Sequence, residues 1–245
     1  MPPPDPEFPP AIAFRKVSKR FGGMASLVDV DFAVPAGAFF GVIGVNGAGK
    51  TTLLKCLLDA TRPDGGAIHI FGTTATRPAA RAALAYLPER FGAPHYATGR
   101  DYLSLMARLY RVHFDLDRVT ALIDKFALDR DALSKPVRAL SKGMTQKLGL
   151  IACLLSGRRL LVLDEPASGL DPLARAQLKS ALAGYHRSGG TVLLTSHALA
   201  DVEEMCTRMA LLHDGTLRFE GPPAELRAEE GGVTLEDAFL RRIDR

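Results

Sequence analysis

The chain has 245 residues, a formal net charge of +4 and a pI near 9.0, with 47% apolar and 24% charged residues. This ordinary globular composition can bury a sizeable core, and it excludes a largely disordered chain, a collagen and a disulfide scaffold. Lys and Arg are scattered among nearly as many acidic residues and Trp is absent, so we expect no nucleic-acid partner.

The cysteines and the apolar runs indicate a cytosolic setting. Cys56, Cys153 and Cys206 are widely spaced and show no metal-ligand pattern, which predicts reduced thiols with small, buried or half-buried side chains. No run of about 18 consecutive apolar residues occurs, so we expect that the chain itself does not span a bilayer.

The first third of the chain begins with a proline-rich segment and continues as strands. Residues 1–10 predict a disordered leader, because proline can join neither a helix nor a central strand. Apolar runs at Ile12–Val17 and Val30–Val34 predict strands on one lobe. The buried strand Phe39–Ile43 then runs into a glycine-rich loop, and the leucine spacing that follows predicts a helix over Thr51–Ala60.

The remainder alternates between strand and helix patterns. Turn residues precede a short strand at Ala67–Phe71, and helical spacing from about Arg90 to Lys147 predicts an inserted helical subdomain. Further strand-like runs follow at Leu160–Leu163, Thr191–Thr195, Met209–Leu212 and Thr216–Glu220. The helices between these runs favour βαβ crossovers and a mostly parallel sheet. We expect one domain over residues 11–225 and a helical tail over residues 226–245, with a capping box beginning at Thr234.

The loop Gly44–Thr52 carries the pattern G-x-x-x-x-G-K-[ST] between a predicted strand and a predicted helix. Its glycines let successive backbone N–H groups approach the oxygens of a polyphosphate. We expect Lys50 to neutralise the β- and γ-phosphates and the Thr51 hydroxyl to hold Mg²⁺, which makes ATP and Mg²⁺ the expected ligands. The residues expected to contact the nucleotide here are Gly44, Asn46, Gly47, Ala48, Gly49, Lys50, Thr51 and Thr52. The fold class is therefore predicted as an α/β P-loop NTPase with a RecA-like core, an antiparallel β lobe and an inserted helical subdomain.

Two later strands end in polar residues. Asp164 and Glu165 follow an apolar strand, and the carboxyl ends of parallel strands face the ligand crevice. We expect Asp164 to hold Mg²⁺ and Glu165 to accept a proton from the attacking water. His197 ends the next strand, where it would contact the γ-phosphate or the water. Taken alone, the carboxylates are compatible with an exposed strand end, and the histidine with a structural role.

Residues 140–147, Leu-Ser-Lys-Gly-Met-Thr-Gln-Lys, complete a set of motifs. Together with the phosphate loop, Asp164-Glu165 and His197 in this order, they resemble the signature of ATP-binding-cassette (ABC) ATPases from about Ile12 to Gly221. The resemblance implies a head-to-tail dimer in which one copy caps the γ-phosphate held by the other. The residues assigned by the resemblance are Ser141 and Gly143 as the cap acting in trans, Phe21 as the ring stacked on adenine, and Asp171 as the acid of the loop that couples the two sites.

Three positions depart from the family pattern. Glu89 stands where the family commonly has the Gln that contacts Mg²⁺ and senses the membrane partner; a carboxylate still binds Mg²⁺ but does not donate a hydrogen bond. Lys142 replaces the usual middle glycine of the signature; its charge opposes the helix dipole, yet we expect it to favour a triphosphate across the interface. Phe21 stands where Tyr is frequent, which preserves stacking without the hydroxyl.

The variant signature, the Leu-Pro-Glu segment at Leu87–Glu89 and the tail Thr234–Leu240 look most like the ATPase subunits of ABC-2-type exporters. This resemblance implies a homodimer on the inner face of the cell membrane, working with separate polytopic permease subunits. A soluble ABC ATPase of translation or DNA repair is the alternative, although those proteins normally carry two cassettes, a coiled coil or a zinc insertion. A P-loop kinase is a further alternative, as is a GTPase, for which the chain shows no Asn-Lys-x-Asp motif.

Overall fold

The computed structural model of the protein describes residues 9–89, 92, 94, 96–232 and 234–244. Its first half contains β1 (Ile12–Phe21), β2 (Met24–Val34), β3 (Phe39–Ile43), α1 (Lys50–Leu57), β4 (Gly65–Ile70), β5 (Thr73–Thr74), α2 (Pro78–Arg81), β6 (Leu84–Leu87), α3 (Gly99–Tyr110) and α4 (Leu116–Lys125). Its second half contains α5 (Lys142–Leu155), β7 (Leu160–Asp164), α6 (Pro172–Arg187), β8 (Thr191–Ser196), α7 (Leu199–Met205), β9 (Arg208–His213), β10 (Thr216–Gly221), α8 (Pro223–Glu230) and α9 (Leu235–Ile243). Two 3-10 turns, Arg130–Leu133 and Val137–Ala139, lie between α4 and α5.

An antiparallel sheet of order β2-β1-β4-β5 forms the predicted β lobe. It packs on the core sheet through aromatic rings: the Phe14 and Phe32 centroids are 4.7 Å apart, and Phe32 stacks on Phe40 of β3 at 5.6 Å. β1 and β2 are longer than the apolar runs predicted, because their mostly exposed halves near the connecting turn carry no strong apolar alternation. The predicted strand at Ala67–Phe71 ends one residue earlier, since Phe71 turns the chain with φ of 46°.

The core sheet has the order β10-β9-β3-β8-β7-β6 and is parallel from β9 to β6. In register, Ile43 lies opposite Ser196 and Asp164 lies opposite Thr195, so the carboxyl ends of β3, β8 and β7 meet at one edge. The P-loop NTPase fold predicted from the sequence is confirmed. This edge is where the sequence analysis placed its polar residues.

Two features of the core sheet lie outside the predictions. β10 runs antiparallel to β9, a direction that the prediction of a mostly parallel sheet left unassigned. Asp214 and Gly215 form a tight hairpin with φ of 47° and 73°, and so short a turn leaves no room for a crossover. β6 was not predicted, since four residues are too few to show a period. It pairs with β7 at the edge of the sheet and leads directly to Glu89.

Helices cover most of the predicted insertion between residues 96 and 147, and α3 begins with a capping box formed by Thr98 and Asp101. At the carboxyl end of the chain, α9 begins with the capping box predicted at Thr234, with Asp237 as its acid. It packs on α7 and α8, where Arg242 forms ion pairs with glutamates of α8. Of the predicted leader, residues 1–8 lie outside the described residues. No helix in the described part of the chain combines the length and the apolar character needed to cross a bilayer.

Candidate functional site

The glycine-rich loop joins β3 to α1 and lies tightly against neighbouring backbone. Gly49 has φ of 103°, and a Cβ atom there would lie 2.7 Å from the Ser26 carbonyl oxygen. On the other side, the Gly215 N–H of the β9–β10 hairpin donates to the Ala48 carbonyl oxygen at 3.2 Å. The loop is therefore fixed from both sides, and side chains larger than hydrogen are excluded where it passes closest.

The amino end of α1 is suited to bind an anion. Gly49 caps the helix without any side-chain hydrogen bond, and the first turn of α1 contains no acidic residue. The first N–H groups of a helix have no partner within the helix, and the helix dipole adds partial positive charge at this end. The arrangement fits the phosphates of a nucleotide.

Lys50 is the cation of this loop. Its side chain is buried, and Nζ donates to the carbonyl oxygens of Gly44 at 2.6 Å and Val45 at 3.3 Å. Burial lowers the pKa of Lys50, while the negative charges of Glu165 and Asp164 oppose that shift. The ammonium thus lies between the loop and the acidic strand ends, where a polyphosphate would meet it.

A buried threonine links the two acidic residues to β8. The Thr195 hydroxyl donates to Asp164 Oδ1 at 2.6 Å and accepts the Glu165 N–H at 3.0 Å. Burial raises the pKa of Asp164, which is only 4% exposed, and the Thr195 hydrogen bond opposes that rise. Sequence reasoning did not single out Thr195. The signal for it was a hydroxyl in an otherwise apolar strand, at the register position opposite Asp164.

Glu165 and His197 form a pair at the same edge. The Glu165 carboxylate lies 2.8 Å from His197 Nδ1. β7 ends at Asp164, and Glu165 turns with φ of 47°, so a left-handed residue sets its direction.

These groups line one cavity of about 360 Å³. Its lining is Ser26, Val45, Asn46, Gly47, Ala48, Gly49, Lys50, Thr51, Thr52, Glu89, Asp164, Glu165 and His197. Ser26, which the sequence analysis missed, shares a 2.8 Å hydroxyl–hydroxyl hydrogen bond with Thr52. A larger groove of about 770 Å³ lies between α6 and α7, but it does not include the phosphate loop.

The residues assigned by resemblance lie elsewhere. Phe21 is half-exposed at the end of β1, with Lys19 Nζ 5.4 Å from its ring centroid. Ser141 caps α5 by accepting the Met144 N–H at 3.2 Å, and Asp171 caps α6. Neither capping residue lines the phosphate cavity of its own chain.

The start of α5 and the loop before α6 are neighbours. A Cβ atom on Gly143 would lie 3.7 Å from Leu170 Cδ2, and the Lys142 side chain packs against Gly169. The signature segment and the Asp171 loop therefore form one surface, separate from the phosphate cavity.

The amino-acid sequence matches the ABC transporter family over residues 27–168. The chain belongs to this family. The daunorubicin resistance ATP-binding protein DrrA3 of Streptomyces coeruleorubidus is 36% identical over 235 residues, which cover 94% of this chain and 74% of that protein. The Nod factor export ATP-binding protein I of Burkholderia lata is 36% identical over 232 residues, covering 93% and 76%.

Two solved structures superpose on this ABC protein. An ATP-binding subunit of an ABC transporter superposes with a TM-score of 0.88 at 31% identity, over 95% of this chain and 99% of that one. An ATP-binding cassette solved as a dimer with ADP and phosphate has a TM-score of 0.78 at 18% identity and shows the fold alone.

An ABC transporter ATP-binding protein of Nostoc is 37% identical over 206 residues, which cover 83% of this chain and 62% of that protein. The chain thus spans less than two thirds of that relative, and also of one from Synechocystis at 60%.

Proposed function

We propose that this ABC protein binds ATP with Mg²⁺ and hydrolyses it to drive export through separate membrane subunits. The observation that carries the proposal is one cavity in which a phosphate-binding loop, a buried lysine, two strand-end carboxyl groups and a histidine meet. ATP-binding proteins of daunorubicin resistance and Nod factor export among the relatives support the exporter role.

Nucleotide binding would use the loop and α1. The N–H groups of Gly47, Gly49 and the first turn of α1 would hold the phosphates, and Lys50 would move from the Gly44 carbonyl oxygen to the β- and γ-phosphate oxygens. Phe21, exposed at the end of β1, would stack on the adenine.

The oxygen donors of the cavity fit Mg²⁺. Hydroxyl and carboxylate oxygens are the ligands this ion prefers, and Thr51, Asp164 and Glu89 all line the cavity. These three residues would hold the ion, which when bound neutralises charge on the β- and γ-phosphates.

Hydrolysis would use the pair at the strand ends. Water attacks the γ-phosphorus and the bond from that phosphorus to the β–γ bridging oxygen breaks, which gives ADP and phosphate. Glu165 would accept the proton of the attacking water, and His197, 2.8 Å from its carboxylate, would orient Glu165 and contact the γ-phosphate.

The second half of each site would come from a second copy of the chain. Ser141 and Gly143 lie at the amino end of α5, outside the phosphate cavity, and a helix start with a serine cap suits an anion. A head-to-tail homodimer would bring this helix over the γ-phosphate of the partner, with Asp171 beside it. ATP would close the dimer and hydrolysis would reopen it.

The closing motion would act on polytopic permease subunits while the protein stays peripheral on the inner face of the cell membrane. Glu89 would sense the permease, because it connects the Mg²⁺ site to the start of the helical insertion. Co-purification of the tagged protein from membranes should recover a polytopic membrane protein. Recovery of ribosomes or DNA in its place contradicts the export role.

Phosphate release and ATP binding by the purified protein test the ATPase. Glu165→Gln should retain ATP and lose hydrolysis, because the amide cannot accept the proton. Lys50→Ala should lose both, because the phosphates lose their cation. Normal turnover by Glu165→Gln rejects its role as the base, and normal turnover by Lys50→Ala rejects the phosphate-loop assignment.

A further inference from the structure

The phosphate cavity is lined by more carboxyl groups than cationic groups. Among the described residues that line it, three carry carboxyl groups, Glu89, Asp164 and Glu165, while Lys50 is the one ammonium. Three acidic side chains and one lysine give this lining a negative formal charge. A nucleotide, itself an anion, therefore enters against the field of the side chains, although the loop amides favour it.

Glu89 is the carboxyl group that burial and hydrogen bonding constrain least. Asp164 is buried and bonded to Thr195, and Glu165 is bonded to His197, whereas the Glu89 side chain is exposed at the rim of the cavity. Its charge nevertheless reaches the interior: it opposes the lowering of the Lys50 pKa by burial and adds to the rise of the Asp164 pKa that burial causes.

We propose that Glu89 makes nucleotide binding conditional on a divalent cation, so that the site accepts the Mg²⁺ complex and rejects the metal-free nucleotide. The inference rests on the proposed function, because it concerns the same site. A carboxylate repels metal-free ADP or ATP more strongly than the Mg²⁺ complex, which carries less negative charge, and it attracts the ion directly. A neutral amide of the same size removes both effects and leaves the loop contacts intact.

The test is the affinity for ADP, which binds without turnover, measured by calorimetry in EDTA and again in Mg²⁺. The quantity of interest is the ratio of the two dissociation constants. Glu89→Gln should reduce this ratio by about tenfold, mainly by tightening the binding of metal-free ADP. Glu89→Asp keeps the charge and should keep the ratio within about threefold of the unsubstituted protein.

Glu236→Gln is the matched control, because it removes the same charge from an exposed position on α9 and should leave the ratio unchanged. A fall of less than about threefold in Glu89→Gln overturns the inference, as does an equal fall in Glu89→Asp or Glu236→Gln. Thermal unfolding of each variant checks that the fold is intact. If the unsubstituted protein binds neither ADP nor ATP in any condition, the proposed function itself fails.

Discussion

At the scale of single residues, Thr195 links the two acidic residues at the end of β7, Asp164 and Glu165. Its hydroxyl bonds both Asp164 and the backbone of Glu165, and the side chain is fully buried. Because the hydroxyl donates to one group and accepts from the other, a residue without it leaves two polar groups unsatisfied. Thr195 is therefore a positioning residue for the candidate base.

Thr195→Val is expected to lower kcat at least about tenfold, since Asp164 and Glu165 lose their common support. The free energy of unfolding should fall by about 1–3 kcal/mol, the cost of leaving buried polar groups unpaired. Steady-state phosphate release and urea unfolding measure the two effects.

Thr191→Val is the matched control on the same strand. Thr191 is equally buried, and its hydroxyl accepts the Gly37 N–H at 2.8 Å, at the end of β8 away from the cavity. It should destabilise the protein by a similar amount and leave kcat within about twofold. Equal losses of kcat in both variants would contradict the role given to Thr195.

At the scale of elements, α9 closes the back of the candidate site. Phe239 of this helix lines a cavity of about 110 Å³ together with Gly44, Val45, Ser196, His197 and Leu199. The helix that the sequence predicted as a tail therefore shares a cavity with the phosphate loop and with the segment that carries His197.

Phe239→Ala should reduce the free energy of unfolding by about 2–4 kcal/mol, because a buried ring is lost beside an existing cavity. Leu240→Ala changes the neighbouring residue, which is 55% exposed, and should remain within about 0.5 kcal/mol. Urea unfolding compares the two variants. A loss in Phe239→Ala as small as the one expected for Leu240→Ala would mean that the Phe239 ring does not contribute to the packing.

The elements also show what the sequence could predict. The phosphate loop, the strand ends at Asp164 and His197 and the capping box of α9 were predictable, because each is a local pattern of residue types. Thr195 and Ser26 were not, since their hydrogen-bond partners lie 31 and 26 residues away in the sequence. The first contact depends on how β8 pairs with β7, and the second on how α1 packs on β2. The direction of β10 was left unassigned although Asp-Gly favours a hairpin, because the βαβ pattern applies only to strands that a helix separates.

At the scale of the whole molecule, two surfaces are separate: the phosphate cavity and the start of α5 with the adjoining Asp171 loop. A head-to-tail dimer predicts complementation between defects in the two surfaces. Lys50→Ala and Ser141→Arg should each be inactive alone. A mixture should recover about one quarter of the unsubstituted activity, because random pairing leaves one intact site in half of the dimers.

Phosphate release after mixing the two variants in equal amounts, with ATP added, measures this recovery. The unmixed variants at the same total concentration are the control. Zero recovery despite demonstrated subunit exchange would place both residues in the same site of a single chain.

The three thiols report on the packing of the whole domain. Cys56, Cys153 and Cys206 are free and buried, as the sequence analysis expected, and burial raises the pKa of each, that of Cys153 to about 12. A raised pKa keeps the thiol protonated at neutral pH, and only the thiolate is nucleophilic. We expect slow labelling by a thiol reagent in the native protein and complete labelling in denaturant.

Leu240→Cys supplies the control for that measurement, because it adds a thiol at an exposed position that should react at once. Rapid labelling of the unsubstituted native protein would show that the core opens more readily than this packing allows.

Glu165 occupies a left-handed backbone conformation, which costs a residue with a Cβ atom about 1–2 kcal/mol relative to glycine. A library selected only for survival on heating should therefore replace this glutamate early with glycine or asparagine. If Glu165 is the base proposed above, the selected variants should unfold at higher temperature, bind nucleotide and fail to hydrolyse it. Heat tolerance therefore favours glycine or asparagine at position 165, whereas the proposed hydrolysis requires glutamate there.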